Sequence, residues 1–180
     1  DILTSEIESS TGCTDPGSVC LAVAVATHTL GRKPDKIDVL VSPNIYKNGV
    51  SVGIPGTNRI GLDLAAALGA LLDEPERGLA ILADVTGDIV QQAAAIVSDG
   101  RVHVAYGQTP EPLYVRATVF GGGEEAQARE LVNGSVLEQT KFRIRDAAAG
   151  NDLYIHLNAF SGAAHLLIRL WFIWLFGLFS

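Results

Sequence analysis

Residues 12–31 have the sequence GCTDPGSVCLAVAVATHTLG, and this stretch decides the fold. Asp15 can cap a helix, because a carboxylate accepts hydrogen bonds from the unpaired N–H groups of the first turn. Pro16 suits that first turn, where its missing N–H is not needed. Ser18–Leu30 is apolar on every face, which is typical of a helix buried on all sides. Gly31 then ends the helix, so we predict a central, buried helix.

The rest of the chain alternates between short strands and helices rich in small residues. β-branched runs bounded by turn residues predict strands at Ile37–Ser42, Val102–Ala105 and Leu113–Phe120. Helical patterns cover Gly61–Leu72, Thr86–Val97 and, after a flexible break at Gly121–Gly123, a polar helix at Glu124–Leu131. Residues 43–57 are rich in Gly, Pro and Asn and predict a loop with one helical turn near Asn44–Asn48. We expect an α+β fold, a mixed sheet of short strands with buried small-residue helices, in a truncated domain.

Composition sets the size and the class of the protein. The chain has 180 residues, of which 48% are hydrophobic and 18% are charged. That length corresponds to about one domain, and the apolar content is enough for a core. The formal net charge is −7, and no run of Lys and Arg occurs, so we expect no nucleic-acid partner. Two cysteines, Cys13 and Cys20, are too few and too close for a disulfide scaffold, which favours a reducing compartment.

The two ends of the chain are unusual. The sequence begins at Asp1 and contains no methionine, so we expect a trimmed N-terminus or an internal piece of a longer chain. Residues 165–180, HLLIRLWFIWLFGLFS, are shorter than the about 20 residues of a membrane span and include Arg169. A buried helix, an interfacial anchor and an out-of-frame end all fit this segment, and the abrupt change in composition favours the last. We predict a domain over 1–135 and a foreign tail over 136–180, with a membrane partner unlikely.

Cys13 is the first candidate for chemistry. It lies just before the predicted helix start, where the helix dipole stabilises a thiolate. Such a thiolate is a nucleophile or a ligand for a thiophilic metal, although a small buried cysteine fits the same position. Cys20 falls within the apolar helix and is assigned to the core. No His or Cys spacing typical of a self-contained zinc site occurs.

The loop after the first strand is the second candidate. Asn44, Lys47 and Asn48 offer hydrogen-bond donors for a carboxylate, and Lys47 can act as a base if its amine is desolvated. A solvated turn is the alternative, since Asn and Pro favour turns. Gly53–Thr57, GIPGT, frees backbone N–H groups for an anion but lacks the Gly-Lys-Ser/Thr of a phosphate loop.

The order of these motifs resembles a known family. Residues 6–120 are similar to the N-terminal part of the L-cysteine desulfidase and iron–sulfur L-serine dehydratase α-chain-like family. The similarity lies in the blocks GCTDPGSVCLAVAVA, VSPNIYKNGVSVGIPGT, GLDLAAALGAL, LAILADVT and PLYVRATVF. The resemblance implies a cytoplasmic enzyme with a 4Fe–4S cluster and Cys13 as a cluster ligand. A cubane cluster normally takes three or four thiolates, and this chain offers only Cys13 at a family position.

The chemistry implied by the resemblance is α,β-elimination from L-cysteine or L-serine to pyruvate and ammonia. Thr14 would lie beside the cluster, Asn44 and Asn48 would bind the amino-acid substrate, and Lys47 would be the base. We therefore expect a fragment of an iron–sulfur amino-acid lyase, inactive as this chain because ligands are missing. The alternative is a non-catalytic, cluster-free domain that forms a homodimer through exposed apolar surfaces.

Overall fold

The computed structural model describes residues 14–131, 136–143 and 154–158. The helices are α1 (Thr14–Leu30), α2 (Pro43–Gly49), α3 (Leu62–Leu72) and α4 (Gly87–Ser98), with a 3₁₀ helix at Pro75–Ala80. The strands are β1 (Lys36–Val41), β2 (Gly53–Ile54), β3 (Arg59–Ile60), β4 (Val102–Tyr106), β5 (Tyr114–Gly121), β6 (Glu124–Leu131), β7 (Val136–Arg143) and β8 (Tyr154–Asn158).

Six strands form one mixed sheet in the order β4-β1-β5-β6-β7-β8. β1 pairs with β4 in parallel, and the other neighbours in this sheet are antiparallel. β2 and β3 form a separate two-stranded hairpin. A mixed sheet with segregated helices confirms the predicted α+β class.

The predicted central helix is confirmed as α1, and it is the middle of the core. Its side chains from Val19 to Ala26 are at most 2% exposed. It contacts β5 and β6 on one side and α3 on the other, so an all-round apolar sequence is what its position requires. The helix ends at Gly31, whose φ of 74° is accessible to glycine without strain.

One face of the sheet is packed against α1. Buried and half-buried residues alternate along β1 and β5, and the buried set includes Ile37, Val39, Val115 and Ala117. This period of two is the pattern of a sheet with a single covered face. The opposite face has polar pairs such as Gln127 Nε2 donating to Thr118 Oγ1 at 3.1 Å.

The predicted polar helix at Glu124–Leu131 is wrong, because this segment forms strand β6. β5 and β6 make a hairpin whose two turn residues, Gly122 and Gly123, have φ of 60° and 77°. Positive φ at both central residues matches the twist of the flanking strands. Within β6, Ala126 and Ala128 are buried at alternate positions. Sheet pairing and burial therefore override the helix preference of Glu, Ala and Gln.

The predicted loop over 43–57 is more ordered than expected. It contains the two-turn helix α2 and strand β2. The helix prediction for Gly61–Leu72 is confirmed by α3, and that for Thr86–Val97 by α4, within one residue at each end. Among the described residues, no helix has both the length and the apolarity to cross a membrane.

Three helices of the helical layer run in the same direction. Gly69 of α3 packs on Cys20 of α1, and nearer the C-terminal ends His28 Nδ1 lies 3.4 Å from Asp73 Oδ1. The last turns of α3 and α4 line one common cavity. The N-termini of α1, α3 and α4 are therefore at one end of the domain, and their C-termini are at the other.

Candidate functional site

The candidate site lies at the end of the domain where α1 begins. α1 and β1 are joined by a five-residue connection, so the end of β1 returns to the level of the start of α1. Helix α2 follows β1 directly and contacts α1. At the same end, Leu79 of the 3₁₀ helix packs on Gly17 in the first turns of α1.

Helix α2 is held in place by hydrogen bonds at its start and by close packing at its end. Ser42 N–H donates to Tyr114 O at 2.9 Å, and Tyr114 N–H donates to Ser42 Oγ at 3.3 Å. Ile45 is fully buried. At the last residue of the helix, a Cβ on Gly49 would overlap the side chain of Leu62, so this position requires glycine.

The structure brings Asn44, Lys47 and Asn48 together. They are three and four residues apart on α2, so they share one side of the helix, and all three are exposed. Asn44 Nδ2 donates to Pro112 O at 3.3 Å, which fixes the amide and leaves its second N–H available. Lys47 forms no ion pair with any described residue. The result is an exposed cation and two amides on one side of the helix.

Thr14 belongs to a different part of this end. Thr14 is the first residue of α1 and is half-buried. Cys13 lies outside the described residues, so its predicted role stays a prediction. Cys20 is buried within α1, as expected for a core residue.

The GIPGT segment is organised by its own hydrogen bonds. Thr57 Oγ1 donates to Ile54 O at 2.8 Å, and Arg59 N–H donates to Thr57 Oγ1 at 3.1 Å. Gly56 has φ of 74° and lies against the backbone of Val85. This segment is therefore a turn packed on the connection before α4, and its glycines fit that packing.

An apolar border surrounds α2, which the sequence motifs did not indicate. The Tyr46 ring of α2 lies 4.6 Å from the Tyr106 ring, centroid to centroid. The exposed large apolar side chains of the described chain are Val50, Ile60, Tyr106 and Leu113. Val50 directly follows α2, Leu113 follows Pro112, which accepts a hydrogen bond from Asn44, and Tyr106 contacts Tyr46. These three residues form the border, whereas Ile60 lies in β3. Tyr106 is about 60 positions away in sequence, so only the tertiary fold reveals this border.

One cation near this end, Arg77, is paired within the described chain. Arg77 donates to Glu74 Oε2 at 3.0 Å and also pairs with Asp84. Hydrogen bonds to Asp84 and Glu74 raise the pKa of Arg77 above its ordinary value. At the start of α3, desolvation raises the pKa of Asp63, and the nearby His103 opposes this effect. Lys47 differs from Arg77 in having no such carboxylate partner among the described residues.

The described residues do not fit an iron–sulfur cluster. Within residues 14–131, 136–143 and 154–158, no three His, Cys, Asp or Glu side chains form a group that could hold a metal ion. We therefore derive no step through a cluster.

The fold and the site define a two-layer α+β domain with a polar face on α2 at the end where three helices begin. Comparison with known proteins places similar sequences in one group. The chain is 52% identical over 126 residues to a UPF0597 protein of Methanocella arvoryzae, covering 70% of this chain and 30% of that protein. UPF0597 proteins of Oleidesulfovibrio alaskensis and Bacteroides fragilis are 46% and 43% identical, each over 128 residues, 71% of this chain and 30% of theirs.

The chain spans about 30% of the length of these curated relatives. No protein-family model and no solved structure matches it. The resemblance to the L-cysteine desulfidase and iron–sulfur L-serine dehydratase family is wrong, because the similar proteins are named UPF0597, a different family. Nothing in these names indicates a lyase or an iron–sulfur protein, so the predicted iron–sulfur lyase function is wrong as well.

Proposed function

We propose that this domain binds a small carboxylate-bearing molecule, such as an α-amino acid, on the exposed side of α2. The observation that supports the proposal most directly is Lys47, an exposed cation on the same side of α2 as the amides of Asn44 and Asn48. An ammonium and two amide N–H donors complement the oxygens of a carboxylate. Charge-assisted hydrogen bonds of this kind are stronger than neutral ones.

Helix N-termini and carboxylates both lie at this end. α1, α3 and α4 all begin here, and each helix N-terminus has a partial positive charge of about half an elementary charge, but each first turn also contains an aspartate, namely Asp15, Asp63 or Asp88. The carboxylate of Asp84 pairs with Arg77. The preference for an anion on α2 therefore rests on Lys47 and the two amides, and not on the helix dipoles.

We propose that Lys47 acts on the ligand through its charge. A lysine that removes protons must be desolvated so that its neutral amine is populated, whereas Lys47 is exposed in this structure. A catalytic base at Lys47 requires another part of the protein to cover its amine and exclude water, so this predicted role stays a prediction. Thr14, half-buried at the first residue of α1, stays a predicted contact of the ligand.

Calorimetry with matched ligands tests this proposal. L-lactate and L-alanine carry the carboxylate, and lactamide and L-alaninamide lack it. We expect the two acids to bind and the two amides to bind at least about tenfold more weakly. Lys47→Gln should weaken binding of the acids by a similar factor, whereas Lys36→Gln should not, because Lys36 pairs with Asp38 at the start of β1. Equal affinity for acid and amide, or no effect of Lys47→Gln, would refute the proposal.

Self-association at the same end is a second candidate. Tyr106 is 61% exposed and belongs to the apolar border beside α2, and exposed apolar patches often mark protein interfaces. We propose that two copies pair through this border. Sedimentation velocity should show a dimer that Tyr106→Ser weakens, and a strictly monomeric chain at high concentration would reject this second candidate.

A further inference from the structure

A cavity of about 270 Å³ lies at the end of the helical layer opposite α2, where α3 and α4 end. Its floor consists of Pro34, Ile37 and Ala70, which are buried, and its walls include Leu71 and Ile96. This volume is slightly below the about 300–1,000 Å³ of sites for drug-sized ligands. The cavity therefore suits a molecule with a short apolar group.

Charged groups of both signs surround the mouth of this cavity. Lys33 and Arg101 are cations, and Asp99 is a carboxylate. Arg101 is held rigidly, because Nε donates to Asp35 O at 2.9 Å and Nη2 donates to Pro34 O at 2.5 Å. Lys33 and Asp99 are exposed and form no ion pair with any described residue.

We propose that this cavity binds an aliphatic α-amino acid, with its side chain on the apolar floor. The carboxylate of the ligand would lie between Lys33 and the free Nη1 of Arg101. Its ammonium would face Asp99 and the carbonyl ends of α3 and α4, where the helix dipole favours a cation. A zwitterion with an apolar side chain would contact the two cations, the carboxylate of Asp99 and the apolar floor. A simple acid would leave Asp99 without a partner, and a simple amine would leave the two cations without one.

This second site is independent of the function proposed for α2. The two sites are at opposite ends of α1, a helix of 17 residues and about 25 Å in length. They share no residue. A ligand in the cavity would contact α3, α4 and the α1–β1 connection at once, so it would stabilise the packing of these elements.

Calorimetry with three ligands of one carbon skeleton tests the inference. L-leucine has both charges, 4-methylpentanoate lacks the ammonium, and 3-methylbutylamine lacks the carboxylate. We expect L-leucine to bind and each analogue to bind at least about tenfold more weakly. Lys33→Gln should weaken L-leucine binding about tenfold, and Asp99→Asn should act similarly. No detectable L-leucine binding at millimolar concentration would overturn the inference, as would equal binding of either analogue.

Two further variants locate the bound ligand. Ala95 is exposed on α4 and lines the cavity, so Ala95→Trp should fill the cavity and abolish L-leucine binding without disturbing the core. L-leucine binding is measured in a Lys47→Gln background, in which the cation proposed for the α2 site is absent, so binding that persists there is separate from the proposal for α2. If L-leucine does not bind the Lys47→Gln variant, or if its binding in that background survives Ala95→Trp in a folded protein, the ligand binds elsewhere and the inference fails.

Discussion

Gly69 of α3 lies directly on the carbonyl oxygen of Cys20 in α1. A Cβ atom at position 69 would overlap that oxygen and lie 3.0 Å from Cβ of Val23. The clash involves backbone of a fully buried helix, so it can be relieved only by moving α1 and α3 apart. The small-residue sequence of α3 is therefore a requirement of close helix packing.

Gly69→Ala is expected to destabilise the fold. Overpacking of a core costs about 1–3 kcal/mol, which should exceed the gain of up to about 1 kcal/mol from better helix propensity. Urea denaturation measures the difference in the free energy of unfolding. Gly87→Ala is the matched control, because position 87 is also helical and a Cβ there meets nothing within 4 Å. Equal stability of the two variants would contradict the packing argument.

The buried hydroxyl of Thr27 provides a second prediction. Thr27 is 2% exposed in α1, and its Oγ1 has no hydrogen-bond partner within the part of the chain that the structure describes. Thr27→Val replaces this hydroxyl by a methyl group of similar shape and should raise the free energy of unfolding by about 1 kcal/mol or more. Thr29→Val is the control, since Thr29 Oγ1 donates to Val25 O at 2.8 Å and that bond would be lost. A Thr27→Val variant less stable than the parent would show that the hydroxyl is paired in solution.

Much of the core was predictable from sequence, because its signals are local. The all-round apolar run of α1 and the β-branched run of β1 each determine one element without reference to the rest of the chain. β6 was not predictable in this way. Its sequence EEAQAREL favours a helix, and only pairing with β5 and the packing of Ala126 and Ala128 against the core make it a strand.

The candidate site was predictable only in part. Asn44, Lys47 and Asn48 are close in sequence, and the formation of α2 places them on one side. The border formed by Tyr106 and Leu113 depends on β4 and β5 meeting the end of β1, a contact between segments about 60 residues apart. The cavity at the opposite end likewise combines residues from three separate segments.

The turn between β5 and β6 gives a third prediction. Gly123 has φ of 77°, a conformation that costs an L-residue about 1–2 kcal/mol, with Asn tolerating it best. Gly123→Val should therefore lower the free energy of unfolding by about that amount or more, whereas Gly123→Asn should be nearly neutral. Hydrogen exchange at the β5–β6 amides should become faster in the valine variant alone. Similar exchange rates in both variants would argue against a turn with positive φ at this position.

The raised pKa of Asp63 leads to a prediction about pH. Desolvation raises the pKa of Asp63 above its ordinary value of 3.8, against the opposing charge of His103. The native state therefore holds this proton to higher pH than the unfolded state, so the contribution of Asp63 to stability falls as pH rises from below 3.8 through the raised pKa. Asp63→Asn removes this titration. The stability of the variant relative to the parent should increase over that pH range and then stay constant.

Denaturation curves at pH 3 to 7 measure this difference, and a second substitution identifies the cause. In a His103→Gln background the opposing charge is absent, so the pKa of Asp63 should rise further. The gain from Asp63→Asn should then be larger and should extend to higher pH. A gain in the free energy of unfolding that does not change with pH in either background would mean that the native and unfolded states bind the Asp63 proton equally. A gain that shrinks as pH rises would mean that folding lowers the pKa of Asp63.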